Sequence, residues 1–304
     1  MNFIVDECLL NVADGAQDRI LVKRYDGYTV IAAIDGHGIP VEMDNSKVHL
    51  IDHIDAITDD EWAVLLAAGD PLVELANYLD EKTYNRYTGA VIAMARIYPE
   101  RVEIFTLGDS SAFVFLDDKL AYTNPHHTAQ LLGEVDRLRK DLPYTNITVE
   151  PTQRLGVIKP DMIQMVPSTY TRFRKDGMLT RMAPTRALGH GGITGYRTER
   201  RTIEYVSNQK LHVVVCSDGV ADMMVQSYET NCGIGSDERD AMVKADLDFI
   251  AGNGGTVIAN WARDRWSQEW TTFTPGYGLG KQRFAHMKKE QDDVCCVTYT
   301  RAIV

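Results

Sequence analysis

The chain lacks the marks of several protein classes. No apolar stretch approaches the ~20 residues of a membrane span, and the opening MNFIVDECLL mixes acidic with apolar residues and has no basic flank, unlike a signal peptide. Positive charge is in deficit. Lys and Arg number 32 against 43 Asp and Glu, a formal net charge of −11, whereas a nucleic-acid binder needs a basic face. No segment is of low complexity, and no repeat recurs at a period of about 20–50 residues. Cysteine is scarce: five residues, an odd count without Cys-x-x-Cys spacing, with Cys295 and Cys296 adjacent and poorly placed to pair with each other. These absences predict a cytoplasmic protein kept reduced, with neither a membrane nor a nucleic acid as partner.

What remains is ordinary globular material. The 304 residues are 44% hydrophobic and 25% charged, and no linker divides them, so one domain over 1–304 is expected. Two apolar runs stand out. Tyr28 to Ile34 reads as a buried strand that stops at Asp35-Gly36-His37-Gly38, and Leu211 to Ser217 runs into Asp218-Gly219. Strands that end this way place two carboxylates side by side at one edge of a sheet core, where they repel unless a cation neutralises them. Mg²⁺ or Mn²⁺, hard ions with oxygen ligands, suit such a site, and the glycines let a main-chain carbonyl come close.

Further strands are expected within residues 89–95, 102–107, 112–116 and 294–300. A Thr58-x-x-Glu61 capping box opens one helix, and Asp70-Pro71 opens another through Leu72, Leu75, Ala76 and Leu79. Two more helices fit the apolar spacing from Met242 to Ile250, with Gly252 as a stop, and from Val257 to Ala262. Short strands without regular alternation with helices predict antiparallel sheets flanked by helices. The Gly- and Pro-punctuated stretch from Leu142 to Gly177 reads as loop.

Several motifs share one order. Gln17-Asp18, Asp35-Gly36-His37-Gly38 and Tyr87-Thr88-Gly89-Ala90 are followed by Leu107-Gly108-Asp109-Ser110-Ser111-Ala112. Thr185-Arg186-Ala187-Leu188-Gly189, Cys216-Ser217-Asp218-Gly219-Val220-Ala221-Asp222 and Asp292-Asp293-Val294 come next. In this order the chain resembles the metal-dependent serine/threonine protein phosphatases of type 2C over nearly its whole length. The resemblance implies an α+β fold, a four-layer αββα sandwich of two mostly antiparallel sheets flanked by helices.

It also implies two Mg²⁺ or Mn²⁺ ions, with Asp35 bridging them, the Gly36 carbonyl on the second, and Asp218 and Asp292 on the first. His37 would be the general acid for a serine or threonine alkoxide. Asp18 would order metal-bound waters or cap a turn, Asp293 rivals Asp292 for the last ligand position, and Gln17 stands where many members carry a metal-binding glutamate. Asp109 and Arg186 read as structural, and Asp222 as a helix N-cap.

Some positions depart from the family pattern. Ala13 stands where members often carry a phosphate-binding arginine, for which Arg19 or Arg24 could substitute. Ile39 replaces a glycine, Pro125 replaces the aspartate of a third metal site in some members, and His190 replaces the aspartate after Leu188-Gly189. The implied activity is metal-dependent hydrolysis of phosphoserine and phosphothreonine in proteins by a monomer. The alternative is a catalytically weak relative that binds phosphoproteins or serves as a structural partner.

Overall fold

The computed structural model describes residues 3–11, 16–38, 48–82, 87–175, 177–226, 234–272 and 282–302. Ala13 and Ile39 lie outside the described residues. Strands β1 (Phe3–Leu10), β2 (Arg19–Tyr25) and β3 (Tyr28–Gly38) precede helices α1 (Leu50–Asp55), α2 (Asp59–Ala67) and α3 (Pro71–Lys82). Next come β4 (Thr88–Ile97), β5 (Arg101–Leu107), β6 (Ser111–Leu116), β7 (Lys119–Thr123) and α4 (Glu134–Asp141). The middle of the chain forms β8 (Asn146–Lys159), β9 (Met162–Lys175), β10 (Met178–Met182), β11 (Leu188–Gly189), β12 (Glu199–Glu204) and β13 (Leu211–Cys216). The last part holds α5 (Asp218–Ala221), α6 (Ser236–Gly252), α7 (Gly255–Ser267), β14 (Trp270–Thr272), β15 (Gln282–Phe284) and β16 (Val294–Arg301).

Two sheets face each other. One runs β12-β5-β4-β3-β2, with the short β11 added to β4, and the other runs β1-β16-β13-β6-β7. Alternation along each strand sends one set of side chains inward and the other toward helices. On β3, Ile31 and Ala33 pack between the sheets with Ala93, Val213, Val215 and Val297, while Val30, Ala32 and Ile34 pack against helices α1–α3. The opposite sheet presents Phe115, Val214, Cys216 and Cys296 to helices α5–α7. The result is the expected four layers. Each fully buried leucine or isoleucine at these contacts stabilises the fold by about 1.5–3 kcal/mol.

The helix starts are as the sequence predicts: Thr58 and Glu61 form a reciprocal cap on α2, and Asp70 accepts the main-chain N–H groups of Leu72 and Val73 at the start of α3. Cys8, Cys216, Cys295 and Cys296 are free thiols, and no helix among the described residues is long and apolar enough to cross a membrane.

Three expectations need correction. The first apolar run does not stop at Asp35. β3 continues through Gly38, because Asp35, Gly36, His37 and Gly38 pair with Val91, Ala90, Gly89 and Thr88 of β4. Residues 142–177 are mostly strand, not loop: β8 and β9 form a long antiparallel hairpin in a third sheet with β10, β14 and β15. The prolines that suggest a loop are tolerated because, among the described residues, Pro151 lies on β8, which pairs with β9 alone, and Pro167 lies where β9 pairs with β8 alone. Finally, Asp222 does not cap a helix N-terminus. It closes the C-terminal end of α5 and pairs with Arg154 of β8.

One buried ion pair ties a helix layer to its sheet. Arg96 on β4 makes two bonds to Glu103 on β5, at 2.9 and 2.6 Å, and donates to the carbonyls of Leu66 and Ala68 at the end of α2. Glu103→Ala leaves a buried guanidinium without its counter-charge, and we expect it to destabilise the fold by about 3 kcal/mol in urea denaturation. A loss under about 1 kcal/mol would mean that water reaches Arg96.

Candidate metal centre

Antiparallel register explains why aspartates far apart in sequence meet. Cys216 at the end of β13 pairs with Ser111 of β6 and with Cys296 of β16. Asp218 follows β13 by two residues, Asp109 precedes β6 by two, and Asp292 precedes β16 by two, so all three emerge at one end of that sheet. On the facing sheet Arg19 pairs with Ile34, which sets Asp18 beside Asp35. The two groups face each other across the end of the sandwich.

Their mutual effect is large. Burial, then the charges of Asp218, Asp18 and Asp292, holds the Asp35 carboxyl well above the usual carboxylate range. Burial, with Asp218, Asp18 and Asp222 adding to it, pushes Asp292 up to about 9. Burial and the charges of Asp218 and Asp222 push Asp109 up to about 8. Asp18, only 2% exposed, is pushed up to about 7 by burial, although a hydrogen bond from Ser217 opposes the rise. Asp218 is raised by burial and by Asp222, against hydrogen bonds with Asp35 and Asp292.

Among the described residues no three His, Cys, Asp or Glu side chains already converge as a ligand shell. The carboxyls instead lie within hydrogen-bonding reach in pairs, Asp35 with Asp218 and Asp218 with Asp292. As a donor set they suit a hard divalent cation, being all oxygen, close together and mutually repelling. Asp18 adds to this fit, because its Oδ2 is buried and has no hydrogen-bond partner.

The other expected residues fall into distinct places. The main-chain N–H of Gln17 donates to Asp293 Oδ2 at 3.0 Å, and the Gln17 side chain donates to the Gly38 carbonyl at 3.2 Å. Asp293 therefore braces the segment carrying Asp18, whereas Asp292 faces the cluster. Gly36 is required by close approach: a Cβ there would sit 2.6 Å from the Gln17 carbonyl oxygen and 2.6 Å from Ile51.

His37 lies beside the cluster with its Nε2 2.9 Å from Nε2 of His190. Burial, then the neighbouring rings of His190 and His49, pushes its imidazole well below the usual histidine range, so it rests neutral. Arg19 is committed to Asp55 of α1 through bonds of 2.8–2.9 Å. Arg24 lies five residues further along β2, roughly 17 Å away, with its guanidinium over Phe3.

Two residues near the cluster carry little sequence signal of it. Asp109 is a full member, and its mark is the Gly-Asp-Ser turn just ahead of a strand that pairs with β13. Arg154 comes from the β8–β9 hairpin; it pairs with Asp222, and its charge acts on Asp109 and Asp218. Arg186, by contrast, is structural, with bonds of 2.9 and 2.7 Å to buried Glu134.

No family model matches the chain, and no curated protein matches it. Solved structures do. A serine-threonine phosphatase 2C from Toxoplasma gondii superposes with a TM-score of 0.54 at 12% identity, covering 98% of this chain and 94% of that one. The fold is that of the type 2C phosphatases. A C. elegans sex determining protein gives 0.52 at 16% identity, with 99% of this chain covered and 66% of the other. At such identities the likeness extends to architecture alone. Within the type 2C fold, the chemistry rests on this chain's own residues.

The raised carboxyls make stability depend on pH. Each binds its proton more tightly in the folded chain than in the unfolded one, where an aspartate titrates near about 3.9. The stabilisation this gives is complete below about pH 4 and is lost as pH rises through about 7, 8 and 9. In chelator, the melting temperature should fall between pH 6 and pH 9, by about 2–4 °C for each kcal/mol lost. Asp292→Asn should flatten that fall. An unchanged slope in the variant would separate Asp292 from the cluster.

Proposed function

We propose that this chain hydrolyses phosphomonoesters, specifically phosphoserine and phosphothreonine in proteins, with Mg²⁺ or Mn²⁺ as cofactor. The observation that carries this reading is the set of mutually repelling aspartates at the common end of two facing sheets, in a fold shared with a serine-threonine phosphatase 2C. A pure scaffold has no need of such a cluster. Asp35, the Gly36 carbonyl, Asp218 and Asp292 would hold two ions. Bound there, the ions supply neutralising charge for the phosphate and Lewis-acid activation of water.

The protein's own groups do the rest. Asp18 and Asp109 add negative charge that keeps the cations in place, and Asp293 with Gln17 holds the Asp18 segment. His37 is assigned the delivery of a proton to the leaving alkoxide. Because it rests neutral, it must first take up that proton, and the negative charge of a bound phosphomonoester favours this. Arg154, whose charge acts on Asp109 and Asp218, is assigned the contact with substrate phosphate, for which it would exchange its partner Asp222. A guanidinium is the side chain best shaped for two phosphate oxygens.

Hydrolysis of a small aryl phosphate should appear with Mn²⁺ and vanish with chelator. Asp218→Asn should lower turnover by more than the roughly 10–100-fold that loss of an outer-sphere partner costs. Chelator-resistant or absent hydrolysis would overturn the reading. Arg154→Ala should raise KM for small phosphates by about 10-fold, as loss of a charged hydrogen bond of about 1.5 kcal/mol implies. An unchanged KM would remove Arg154 from the substrate site.

A further inference from the structure

Three strands bring one row of residues into line beside the aspartate cluster. His37 on β3 pairs with Gly89 on β4, and Gly89 pairs on its other side with Gly189 of β11. The next residue, His190, sends its ring back across Gly89 toward His37. A Cβ on Gly89 would lie 2.5 Å from both Cδ2 and Nε2 of His190, so the ring occupies the space that a side chain there would fill. The two ring centroids are 4.9 Å apart with 22° between their planes, and the Nε2 atoms are 2.9 Å apart.

The backbone under His190 is strained. His190 has φ 51°, and Gly189, Gly191 and Gly192 on either side also have positive φ. A left-handed conformation costs a non-glycine residue about 1–2 kcal/mol, and asparagine or glycine satisfies such a turn more readily. The turn alone therefore does not call for histidine; the ring does. The turn is held from behind by the Arg186–Glu134 pair and by Thr194, whose hydroxyl accepts from the Ala187 N–H and donates to the Ala187 carbonyl.

The 2.9 Å separation of the two Nε2 atoms requires that one ring donate its N–H and the other accept it.

We propose that His190 is a positioning residue for His37, fixing the orientation of that ring through the Nε2···Nε2 hydrogen bond. The kinetic consequence rests on the phosphatase reading above; the hydrogen bond itself does not. A histidine beside a reacting centre loses efficiency steeply when its ring wanders, and a misplacement of about 1 Å can cost about 100-fold.

Two measurements test this. In protein carrying ¹⁵N-labelled histidine, a scalar coupling between the two Nε2 nuclei should be seen with chelator present and vanish in His190→Asn, whose side chain suits the left-handed turn but is too short to reach. In kinetics with Mn²⁺, His190→Asn should lower turnover of alkyl phosphates by about 10-fold or more beyond its effect on aryl phosphates, because an aryl oxide leaves without a proton. His190→Gln, longer and able to donate or accept, should recover part of the loss. Combining His190→Asn with His37→Gln should give no further fall in the alkyl-to-aryl ratio.

Absence of the coupling in the unaltered protein would overturn the proposal, as would an unchanged alkyl-to-aryl ratio in His190→Asn. A protein inactive on both substrates yet showing the coupling would sink the phosphatase reading and leave the histidine pair standing.

Discussion

Crowding of carboxylates at one end of the sandwich is the constraint on which the rest of the molecule turns. Two unit charges 4 Å apart interact by about 4 kcal/mol at an effective dielectric of about 20. A few such pairs, all ionised, would match the entire stability of about 5–15 kcal/mol that a folded chain commands. Asp18, Asp35, Asp109, Asp218 and Asp292 therefore cannot all be charged together in the folded chain without a counter-ion. The nearby Arg154 relieves part of the repulsion, and a hard cation would relieve far more.

The framework that enforces this crowding is rigid. The aspartates stand on or within two residues of strands whose shared interior is packed with alanine, valine and isoleucine, so their positions follow strand register more than loop conformation. Behind them, Asp293 anchors the Asp18 segment and Gly36 lets that segment pass close to β3. Rigid elements locate a site more closely than loops do.

Much of this is legible in the sequence, for identifiable reasons. β4, β6 and β13 are near-continuous apolar runs because both of their faces are covered, and helices α2 and α3 announce themselves through Thr58, Glu61, Asp70 and Pro71. Asp35 and Asp218 are visible because each ends an apolar run in Asp-Gly. The long hairpin is not, since its middle is half-exposed and carries prolines that read as breakers until the pairing is known. Asp109 looks like any turn residue in isolation, and only the β6–β13 pairing brings it to Asp218. Arg154 and His190 act across distances that no local pattern encodes. His190 shows in sequence only as a departure from a family motif, and its role depends on the absence of a side chain at Gly89 on another strand.

The β8–β9 hairpin is gripped at both ends. Ile147 and Phe173 are buried in one cluster with Met182 and Ile193, while Val157 and Ile163, at the far end, belong to the core under α6 and α7. Near its turn, the Pro160 carbonyl accepts from Gln268 and the Asp161 carbonyl accepts from the N–H of Thr271. Arg154 lies between these anchorages. A ribbon clamped at both ends cannot swing like a door; it can only bow. The guanidinium it carries would therefore approach or leave the carboxylates by a shallow flexing of the span, with both ends staying seated.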